Sequence, residues 1–469
     1  QVPSRSALER WAFRGALTEF ELPHAVVWAW RWEHEPDPLV RDGGLVVAVH
    51  GQVLRSESPG SAGDILLLYR RGGVEALRTV DGELSFLIWD DDRRTLVLGR
   101  DPFGTRPLFI CSTGDLVAAG TEIGQLQAIG FGTRTPDALR IRGDLGLVDL
   151  DPRRTQYEGV RRALPGQTYV FGGSEGVAVT PAWTPPQRLD WGLTPAKAER
   201  GLQLAIHGAI SRRRWQRPVI ALSGGLDSTA IAGTIWNDPQ LEASVSGPDG
   251  LQALTLTFGR WYGDETERAR SVAGSFGRRL LEIDVSQMSV IAGARELSEV
   301  TQQPVPGETG YQLPPIVAGL HSLCGQTAVL GLGGDDFFGG SALGGVDLLL
   351  RGRLNSAIHQ SLAEGRHRGL GIAQSVLQLL LRPAVSTVVR KGILGRVPHR
   401  TPTRRSRVSE LFSDWECGSV AWTARFLRMA SIACSPAYDF IEHVFARGGL
   451  VPAYPLFDRS LATFVGGIP

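Results

Sequence analysis

The segment PVIALSGGLDSTAIAGTIWN, Pro218–Asn237, decides the fold. It begins with a short apolar run typical of a buried strand, continues as Ser-Gly-Gly-Leu-Asp-Ser, and ends in an Ala- and Ile-rich run typical of a helix. At a turn from strand to helix, the first helical N–H groups have no partner within the helix, so they can bind an anion. The segment therefore predicts a phosphate-binding turn.

The residue types in this turn suit a nucleotide with its metal. Gly224 and Gly225 let the backbone approach a phosphate closely, and Ser223 and Ser228 supply hydroxyl donors. Asp227 would repel a phosphate unless Mg²⁺ lies between them. A plain acidic turn at a helix start is the simpler interpretation of an isolated Gly-Gly-x-Asp, but the flanking serines, strand and helix favour nucleotide binding.

The chain divides into two regions of different periodicity. Before about residue 185 it is rich in strands; GELSFLIWDDDRRTLVLGRD (Gly82–Asp101) predicts a hairpin, and GDILLLYRRGGVEALRTV (Gly63–Val80) a helix that stops at Gly-Gly. After Thr194 and Pro195, which predict a helix start, the strands PVIAL, ALTLTF, LLEID and TAVLGLG alternate with helices, as in a doubly wound parallel sheet. The predicted domains are residues 1–185 and 195–469.

Composition excludes several classes of protein. The 469 residues carry 49 Lys and Arg against 48 Asp and Glu, so the charge of +1 does not indicate nucleic acid or an anionic membrane as partner. The four cysteines form no C-x-x-C pair, which argues against a disulfide framework or a zinc site and fits a reducing cytoplasm. No apolar run approaches the roughly 20 residues of a membrane span. The chain opens at Gln1, and we expect that either end is incomplete.

The motif SGGLDS resembles the pyrophosphate loop (PP-loop) of the ATP pyrophosphatases, which cleave ATP between its α and β phosphates. A second segment, AVLGLGGDDFFGG (Ala328–Gly340), resembles the G-E-G-A-D-E-L-F-G-G element of the asparagine synthetase superfamily. A third, PAYPLFDRSLATFV (Pro452–Val465), is similar to the family's P-[FY]-L-D segment, with Asp458 as its aspartate. The lysine that the family carries downstream has no counterpart before the chain ends, which suggests truncation.

The resemblance implies a fold and a set of site residues. The fold would be an α+β N-terminal Ntn-hydrolase-like domain, a degenerate glutaminase, followed by an α/β PP-loop synthetase domain of the adenine nucleotide alpha hydrolase type. The implied cofactors are ATP and Mg²⁺, with Asp227 and Asp335 as metal ligands and Ser223, Asp227 and Asp335 as catalytic residues. The implied cofactor-binding residues are Ser223, Gly224, Gly225, Leu226, Asp227, Ser228, Leu254, Thr255, Leu256, Gly333 and Gly334.

The N-terminal region resembles the amidotransferase domain of asparagine synthetases but departs from its glutamine site. LRTVDGELSFLIWDDDRRTLVLGRDPFGTRPLF (Leu77–Phe109) carries the likeness. The first cysteine is Cys111, the family's N-G-E segment stands as His50-Gly51-Gln52, and its S-D-T-E segment stands as SAGD, Ser61–Asp64. Working glutaminases of this class use an N-terminal cysteine. We therefore expect that this domain does not release ammonia from glutamine.

Without ammonia, an activated carboxylate must meet another amine, most simply one on the same molecule, so that a ring forms. The superfamily contains two such outcomes, the β-lactam synthetases and the cyclases of lasso peptides. β-Lactam synthetases place a catalytic Tyr three residues before the metal-binding aspartate, where this chain has Leu332, which cannot transfer a proton. GLGGDDFFGG is closer to the form that lasso cyclases resemble. The predicted activity is therefore an AMP-forming macrolactam synthetase acting on a precursor peptide.

The sequence offers four candidates for the general base and three alternative functions. Glu308, Asp439, Glu442 and His443 are candidates for the general base of the amine, although each is better explained as a surface or structural residue. The resemblance implies a leader-binding protein and a leader peptidase as partners. The alternatives are a β-lactam-synthetase-like cyclase, an asparagine-synthetase-like amide ligase on a small substrate, and a scaffold that binds ATP or peptide without turnover. The loops TQQPVPGETGYQLPP (Thr301–Pro315) and HRTPTRRSRV (His399–Val408) weakly favour a peptide substrate.

Overall fold

A computed structural model describes most of the chain. The described residues are 8, 16–31, 37–54, 61–144, 151–172, 177–181, 183–186, 188–246, 250–259, 264–301, 303–305, 310–338, 343–385, 411–412 and 419–468. They form two compact units. The first lies within residues 1–183, 203–334 and 432–461, and the second within 184–202, 335–431 and 462–469. The domain boundaries predicted from the sequence stay a prediction.

The N-terminal part of the first unit is built from antiparallel sheets. Its strands are β1 (Ala16–Glu21), β2 (Val26–Arg31), β3 (Leu39–Asp42), β4 (Leu45–Val53), β5 (Gly82–Asp90), β6 (Thr95–Arg100), β7 (Phe109–Thr113), β8 (Leu116–Gly120), β9 (Val160–Arg162), β10 (Gln167–Phe171) and β11 (Val177–Pro181). The largest sheet has the order β11-β10-β6-β5-β4-β3, beside a three-stranded sheet β8-β7-β9 and the pair β1-β2.

Two apolar runs around a polar turn explain the central hairpin of this sheet. β5 and β6 pair antiparallel with Asp90 opposite Thr95, so the predicted hairpin is confirmed and the polar residues 91–94 form its turn. Val47, Ile88 and Val97 are fully buried in a core that includes Ile65 of helix α1, Ser61–Ala76. The predicted stop of that helix is visible as a kink, because Gly72 and Gly73 leave helical dihedral angles.

The C-terminal part of the first unit is a five-stranded parallel sheet. Its strands are β12 (Pro218–Ala221), β13 (Gln252–Thr257), β14 (Leu280–Asp284), β15 (Thr327–Val329) and β16 (Val451–Ala453), in the order β14-β13-β12-β15-β16. The four predicted strands are confirmed, except that the strand predicted over TAVLGLG ends at Val329. The chain runs from β12 outward to β13 and β14, and then crosses back to β15 on the other side of β12. The switch in direction therefore lies between β12 and β15, where ligands bind at the carboxyl ends of strands in folds of this kind.

The remaining helices connect these strands or build the second unit. They are α2 (Ile123–Ala128), α3 (Ala138–Asp144), α4 (Pro195–Ser211), α5 (Leu226–Trp236), α6 (Pro239–Ser246), α7 (Thr266–Ser275), α8 (Val290–Thr301), α9 (Leu313–Ser322), α10 (Gly334–Phe337), α11 (Gly344–Leu350), α12 (Leu354–His367), α13 (Ile372–Ser375), α14 (Val420–Ala433), α15 (Pro436–Arg447) and α16 (Arg459–Gly466). The helix predicted after Thr194 is α4. Along the described residues, none of the helices is both long and apolar enough to cross a membrane.

The second unit contains α11, α12, α13 and most of α14. Asp347 organises the start of α14, because its carboxylate accepts hydrogen bonds from Ser419 Oγ at 2.7 Å and from the Val420 amide at 2.7 Å. Both groups would otherwise be unsatisfied at a helix N-terminus, so this buried carboxylate has a capping role.

Candidate active site

The segment SGGLDS forms the predicted turn between β12 and α5. Gly224 has φ +73°, and a Cβ there would lie 2.5 Å from the backbone nitrogen of Ala269. Glycine is therefore required both for the left-handed conformation and for the close approach of the neighbouring segment. Gly225 is the N-cap of α5, and no side chain caps this helix. The end of the helix is thus suited to bind an anion.

The two serines of the motif fix the shape of the turn. Ser223 Oγ and Ser228 Oγ are 3.2 Å apart, and the Ser223 amide donates to Ser228 Oγ at 3.2 Å. Ser223 Oγ also accepts a hydrogen bond from the Gly225 amide at 3.2 Å. The hydroxyls therefore brace the loop at the point where the resemblance places pyrophosphate. Leu226, the first residue of α5, is 88% exposed.

The second motif packs directly on the first. It follows β15, the neighbour of β12, and a Cβ at Gly331 would lie 3.0 Å from the Ser228 amide nitrogen. A Cβ at Gly334 would lie 1.8 Å from Cγ of Asp227, inside the space that the carboxylate occupies. Gly334 therefore makes room for the acidic side chain of the PP-loop.

The acidic residues fit a magnesium ion that is shared with phosphate. Carboxylate oxygens are the ligands that Mg²⁺ prefers, and it is usually held by one or two of them together with phosphates of the substrate. The described residues contain no group of three His, Cys, Asp or Glu side chains that would hold a metal by themselves. Asp227, held against Gly334, could supply one such carboxylate, and Asp335 as the second ligand stays a prediction. Bound there, Mg²⁺ would neutralise phosphate charge.

Arginines of α14 support the short helix α10 that carries Asp335. Arg425 Nη1 donates to the carbonyl oxygen of Phe337 at 3.0 Å, and its Nη2 donates to that of Asp335 at 3.4 Å. Burial raises the pKa of Asp336, an effect that the nearby Arg428 partly offsets. The acidic pair of the second motif therefore lies in a positively charged setting within its own unit.

The strand predicted to border the adenine is β13, on the other side of β12. Leu254 is opposite Ala221 in the parallel register, and the Leu222 amide donates to the Leu254 carbonyl oxygen at 2.8 Å. Leu254 and Thr255 are buried, whereas Leu256 is partly exposed near the carboxyl end of the strand. The structure thus brings this strand beside the PP-loop, and its contact with adenine stays a prediction.

The third motif follows β16, the neighbour of β15, and its aspartate is structural. Asp458 is buried, pairs with Arg212, and lies 3.2 Å from Arg213 Nη1. Its other oxygen accepts hydrogen bonds from the first amides of α16, those of Ser460 and Leu461, at 3.0 Å each. All four lone-pair directions are used by protein groups, so Asp458 stabilises the segment and does not act on a ligand.

The same segment touches the glycines of the second motif. Gly333 has φ +98°, and a Cβ there would lie 3.1 Å from the Phe457 ring and 3.4 Å from Leu456. Three consecutive neighbours in the sheet, β12, β15 and β16, therefore present one motif each at their carboxyl ends. Leu332, the residue that separates the cyclase alternatives, is 38% exposed at this edge.

A buried network of ion pairs runs through the first unit, and sequence reasoning missed it. Glu83 of β5 pairs with Arg213 at 2.7 Å, and with Arg106 at 3.5 Å. Arg106 pairs with Glu442 at 2.8 Å, and Glu442 lies 3.0 Å from His50 Nε2. Burial alone would lower the pKa of Arg213, but the attraction of Glu83 and Asp458 outweighs it, so the pKa is raised and the guanidinium stays charged.

Buried ion pairs account for three of the four candidates for the general base. Asp439 accepts a hydrogen bond from Arg162 Nε at 2.9 Å, Glu442 pairs with Arg106, and His443 Nδ1 lies 3.0 Å from Glu122 Oε2. All three are buried in α15, so the interpretation as surface residues is wrong and the structural one fits their contacts. Glu308 lies outside the described residues, as does all of His399–Val408 and part of Thr301–Pro315.

The departures from the glutaminase pattern lie on β4 and at the start of α1. Gly51 has φ +104°, and a Cβ there would meet the Glu83 carbonyl oxygen at 2.0 Å. His50, beside it, is engaged by Glu442 of α15. Ser61 Oγ accepts a hydrogen bond from the Val53 amide at 2.8 Å, which ties the SAGD segment to the end of β4.

Comparison with known families agrees with this architecture. The asparagine synthase profile matches residues 209–469, and a glutamine amidotransferase domain profile matches residues 31–128. The chain belongs to the asparagine synthase family. Its fold is an Ntn-type glutamine amidotransferase domain followed by a PP-loop α/β domain.

Similar proteins are distant and longer than this chain. Amidase chyE of Penicillium rubens is 24% identical over 75% of this chain and 54% of its own length. Amidase chry2 of Gibberella zeae is 24% identical over 59% of this chain and 42% of its own length. Human asparagine synthetase is 27% identical over 47% of this chain and 38% of its own length. The chain spans about half the length of the first two.

Proposed function

We propose that this protein is an ATP-dependent, AMP-forming amide ligase that closes a macrolactam ring in a precursor peptide, as lasso peptide cyclases do. The observation that carries the ATP chemistry is the packing of Gly331 and Gly334 against the SGGLDS loop, at the switch point of a parallel sheet. Membership of the asparagine synthase family supports amide formation. The peptide substrate and the ring rest on two departures from the family pattern, Leu332 and His50.

The proposed reaction has two steps. The side-chain carboxylate of an Asp or Glu in the peptide attacks the α-phosphorus of ATP, which forms an acyl adenylate and releases pyrophosphate. The N-terminal amine of the peptide then attacks the acyl carbon, loses a proton, and displaces AMP. Ser223, Gly224, Gly225 and Ser228 would hold the pyrophosphate, and Asp227 and Asp335 would hold Mg²⁺. Folding the peptide so that amine and adenylate meet would be the main contribution of the protein.

His50 supports an amine source other than ammonia from glutamine, and Leu332 favours a lasso-type cyclase over the β-lactam and asparagine synthetases. At the amidotransferase position where the family has Asn, His50 is engaged by the buried Glu442, so it does not offer the amide of the glutamine site. Leucine at position 332 provides no proton-transferring group at the synthetase edge. A leader-binding protein and a leader peptidase would be the partners that deliver the peptide.

The decisive experiment incubates linear peptides, each with a free N-terminus and an internal Asp or Glu, with the protein and Mg·ATP. Mass spectrometry should show the loss of one water from the peptide, and chromatography should show AMP. The Asp227→Asn variant should lose both products, whereas Asp238→Asn, a half-buried position beyond α5 whose carboxylate caps α6, should keep them. Formation of ADP would refute the PP-loop chemistry, and incorporation of ammonia from glutamine into an open-chain amide would refute the ring.

A further inference from the structure

The amidotransferase-like part of the first unit encloses a large cavity. Its volume is about 1230 Å³, and it extends from β2 and its preceding turn to β8, over the middle of β4 and β5. Binding pockets for small molecules usually measure about 300–1,000 Å³. This cavity is therefore larger than a single amino acid such as glutamine requires, and its size suits a short stretch of polypeptide.

Two strands present their edges to the cavity. Every residue from Glu21 to Trp30, which includes all of β2 except its last residue, and every residue from Asp115 to Thr121, which includes β8, lines it. Side chains of a strand alternate between its two faces, so a cavity against one face would be lined by every second residue. A cavity lined by consecutive residues instead lies along the edge of the strand. Among the described strands, β2 pairs only with β1, and β8 only with β7. Both edges can therefore pair with an added strand.

The wall is mainly apolar and contains two buried donors. Trp28, Trp30 and Trp89 line it. Gln125, whose exposure is only 6%, presents a buried Nε2–H group, and Trp28 presents a buried Nε1–H group. Neither group has a hydrogen-bond partner among the described residues. A buried donor without an acceptor is costly. The site is thus complementary to a ligand that carries both apolar side chains and carbonyl oxygens.

The charges in the wall argue against a free amino acid. Arg106 and Glu442, the buried charged residues of the wall, are paired with each other at 2.8 Å. A zwitterion such as glutamine would need opposite charges for its ammonium and carboxylate groups, and burying them without partners is unfavourable. Uncharged backbone amides avoid this cost.

We propose that this cavity binds an extended, uncharged and mainly apolar peptide segment, which pairs with the edge of β2 or β8 and accepts hydrogen bonds from Gln125 and Trp28. The site is separate from the ATP-binding loop. The inference does not depend on the proposed reaction, although a peptide substrate of that reaction would be a natural ligand. The amidotransferase-like fold then acts in this chain as a peptide-binding domain.

Calorimetric titration of the intact protein, without nucleotide, tests the proposal. The probe is acetyl-Gly-Phe-Val-Phe-Gly amide, with two controls of the same length: the probe N-methylated at its central residues, and acetyl-Gly-Ser-Gly-Ser-Gly amide. Saturable binding of the probe alone is expected. Absence of probe binding, equal binding of the N-methylated peptide, or displacement of the probe by free glutamine would each overturn the inference.

Two conservative variants locate the site. Gln125→Glu keeps the acceptor that Gln125 offers to the Glu122 amide but removes the Nε2 donor, and Trp28→Phe keeps an aromatic ring but removes Nε1. Each should weaken probe binding about 3- to 10-fold. The matched control is Gln127→Glu on the same helix, whose side chain bonds to the Thr133 carbonyl oxygen outside the cavity and should leave binding unchanged.

The pattern across these variants decides the outcome. Unchanged binding in both Gln125→Glu and Trp28→Phe, or equal losses in Gln127→Glu, would overturn the assignment of the cavity. Near-ultraviolet circular dichroism shows whether each variant keeps its packing, and a variant that loses it is replaced by Ala119→Arg, which would fill the edge of β8 with a charged side chain. Binding of the probe without ring formation in the peptide assay would refute the proposed function and leave this inference standing.

Discussion

The substitution Gly334→Ala tests the contact between the two motifs of the nucleotide site. A Cβ at this position would lie 1.8 Å from Asp227 Cγ and 2.1–2.2 Å from its carboxylate oxygens. Ordinary contact begins near 3.4 Å, so the two groups must separate by about 1.6 Å. Either the Asp227 carboxylate moves or the backbone that continues into Asp335 moves. In both cases a predicted ligand of Mg²⁺ is displaced.

The expected consequence is a loss of metal-dependent nucleotide binding. Misplacement of a catalytic group by about 1 Å can cost about 100-fold in rate, and we expect a similar decrease in AMP formation for Gly334→Ala. A direct measurement is calorimetric titration with the nonhydrolysable analogue α,β-methylene-ATP, with and without Mg²⁺. The gain in affinity that Mg²⁺ gives the wild-type protein should disappear in the variant.

A second alanine substitution controls for the general effect of removing a glycine. Gly274, in α7 of the same unit, would place a Cβ that meets nothing within 4 Å. Gly274→Ala should leave nucleotide binding unchanged and raise the free energy of unfolding by about 0.5–1 kcal/mol. If Gly334→Ala binds Mg²⁺ and the analogue as tightly as the wild type, Asp227 is not a ligand and our reasoning about the site is wrong.

Three further substitutions or conditions probe the loop and the ion pairs. Gly224→Ala should weaken nucleotide binding and cost about 1–3 kcal/mol in urea denaturation, since φ is +73° and the Cβ would meet Ala269; unaltered binding would contradict this. Arg213→Met should lower the free energy of unfolding by about 3–5 kcal/mol, because Glu83 and Asp458 lose a buried partner; a loss below about 1 kcal/mol would contradict it. Burial alone would raise the pKa of Asp458, but Arg213 and Arg212 lower it below the ordinary 3.8. The stability from this shift is present above about pH 4 and is lost as the pH falls through the folded pKa, a dependence that Asp458→Asn should lack in acid titrations of unfolding.

Local signals account for the part of the fold that the sequence predicts correctly. The hairpin of β5 and β6 follows from two apolar runs around a polar turn, and the PP-loop from glycines between a strand and a helix. The meeting of the three motifs follows from one general rule, that the carboxyl ends of parallel strands share an edge. That rule predicts that SGGLDS lies beside the Gly331–Gly334 turn, and the packing of Gly331 on Ser228 confirms it.

The buried ion pairs lie beyond such rules because their partners are far apart in the chain. Glu83 and Arg213 are separated by 130 positions, and Arg106 and Glu442 by 336. The sequence around each of these charged residues gives no sign of its distant partner. Because charged residues are mostly exposed, the sequence predicts that those of α15 face solvent. Only the tertiary structure shows that Asp439, Glu442 and His443 face arginine or glutamate from the amidotransferase-like sheets. The cavity between β2 and β8 is equally invisible, since strand edges have no sequence signal of their own.

The ion-pair network gives the amidotransferase-like domain a role that is independent of glutamine chemistry. His50 in the cavity wall contacts Glu442, which pairs with Arg106. Arg106 also pairs with Glu83, and Glu83 pairs with Arg213. Arg213 in turn donates to the Phe457 carbonyl oxygen at 3.0 Å. Phe457 in turn packs on Gly333, in the turn that holds Asp227 in place. Leaving one of these buried charges unpaired would cost several kcal/mol, so the geometry of the third motif depends on residues of β4 and β5. A domain that provides these partners cannot be removed without disturbing the nucleotide site, whether or not it ever hydrolyses glutamine.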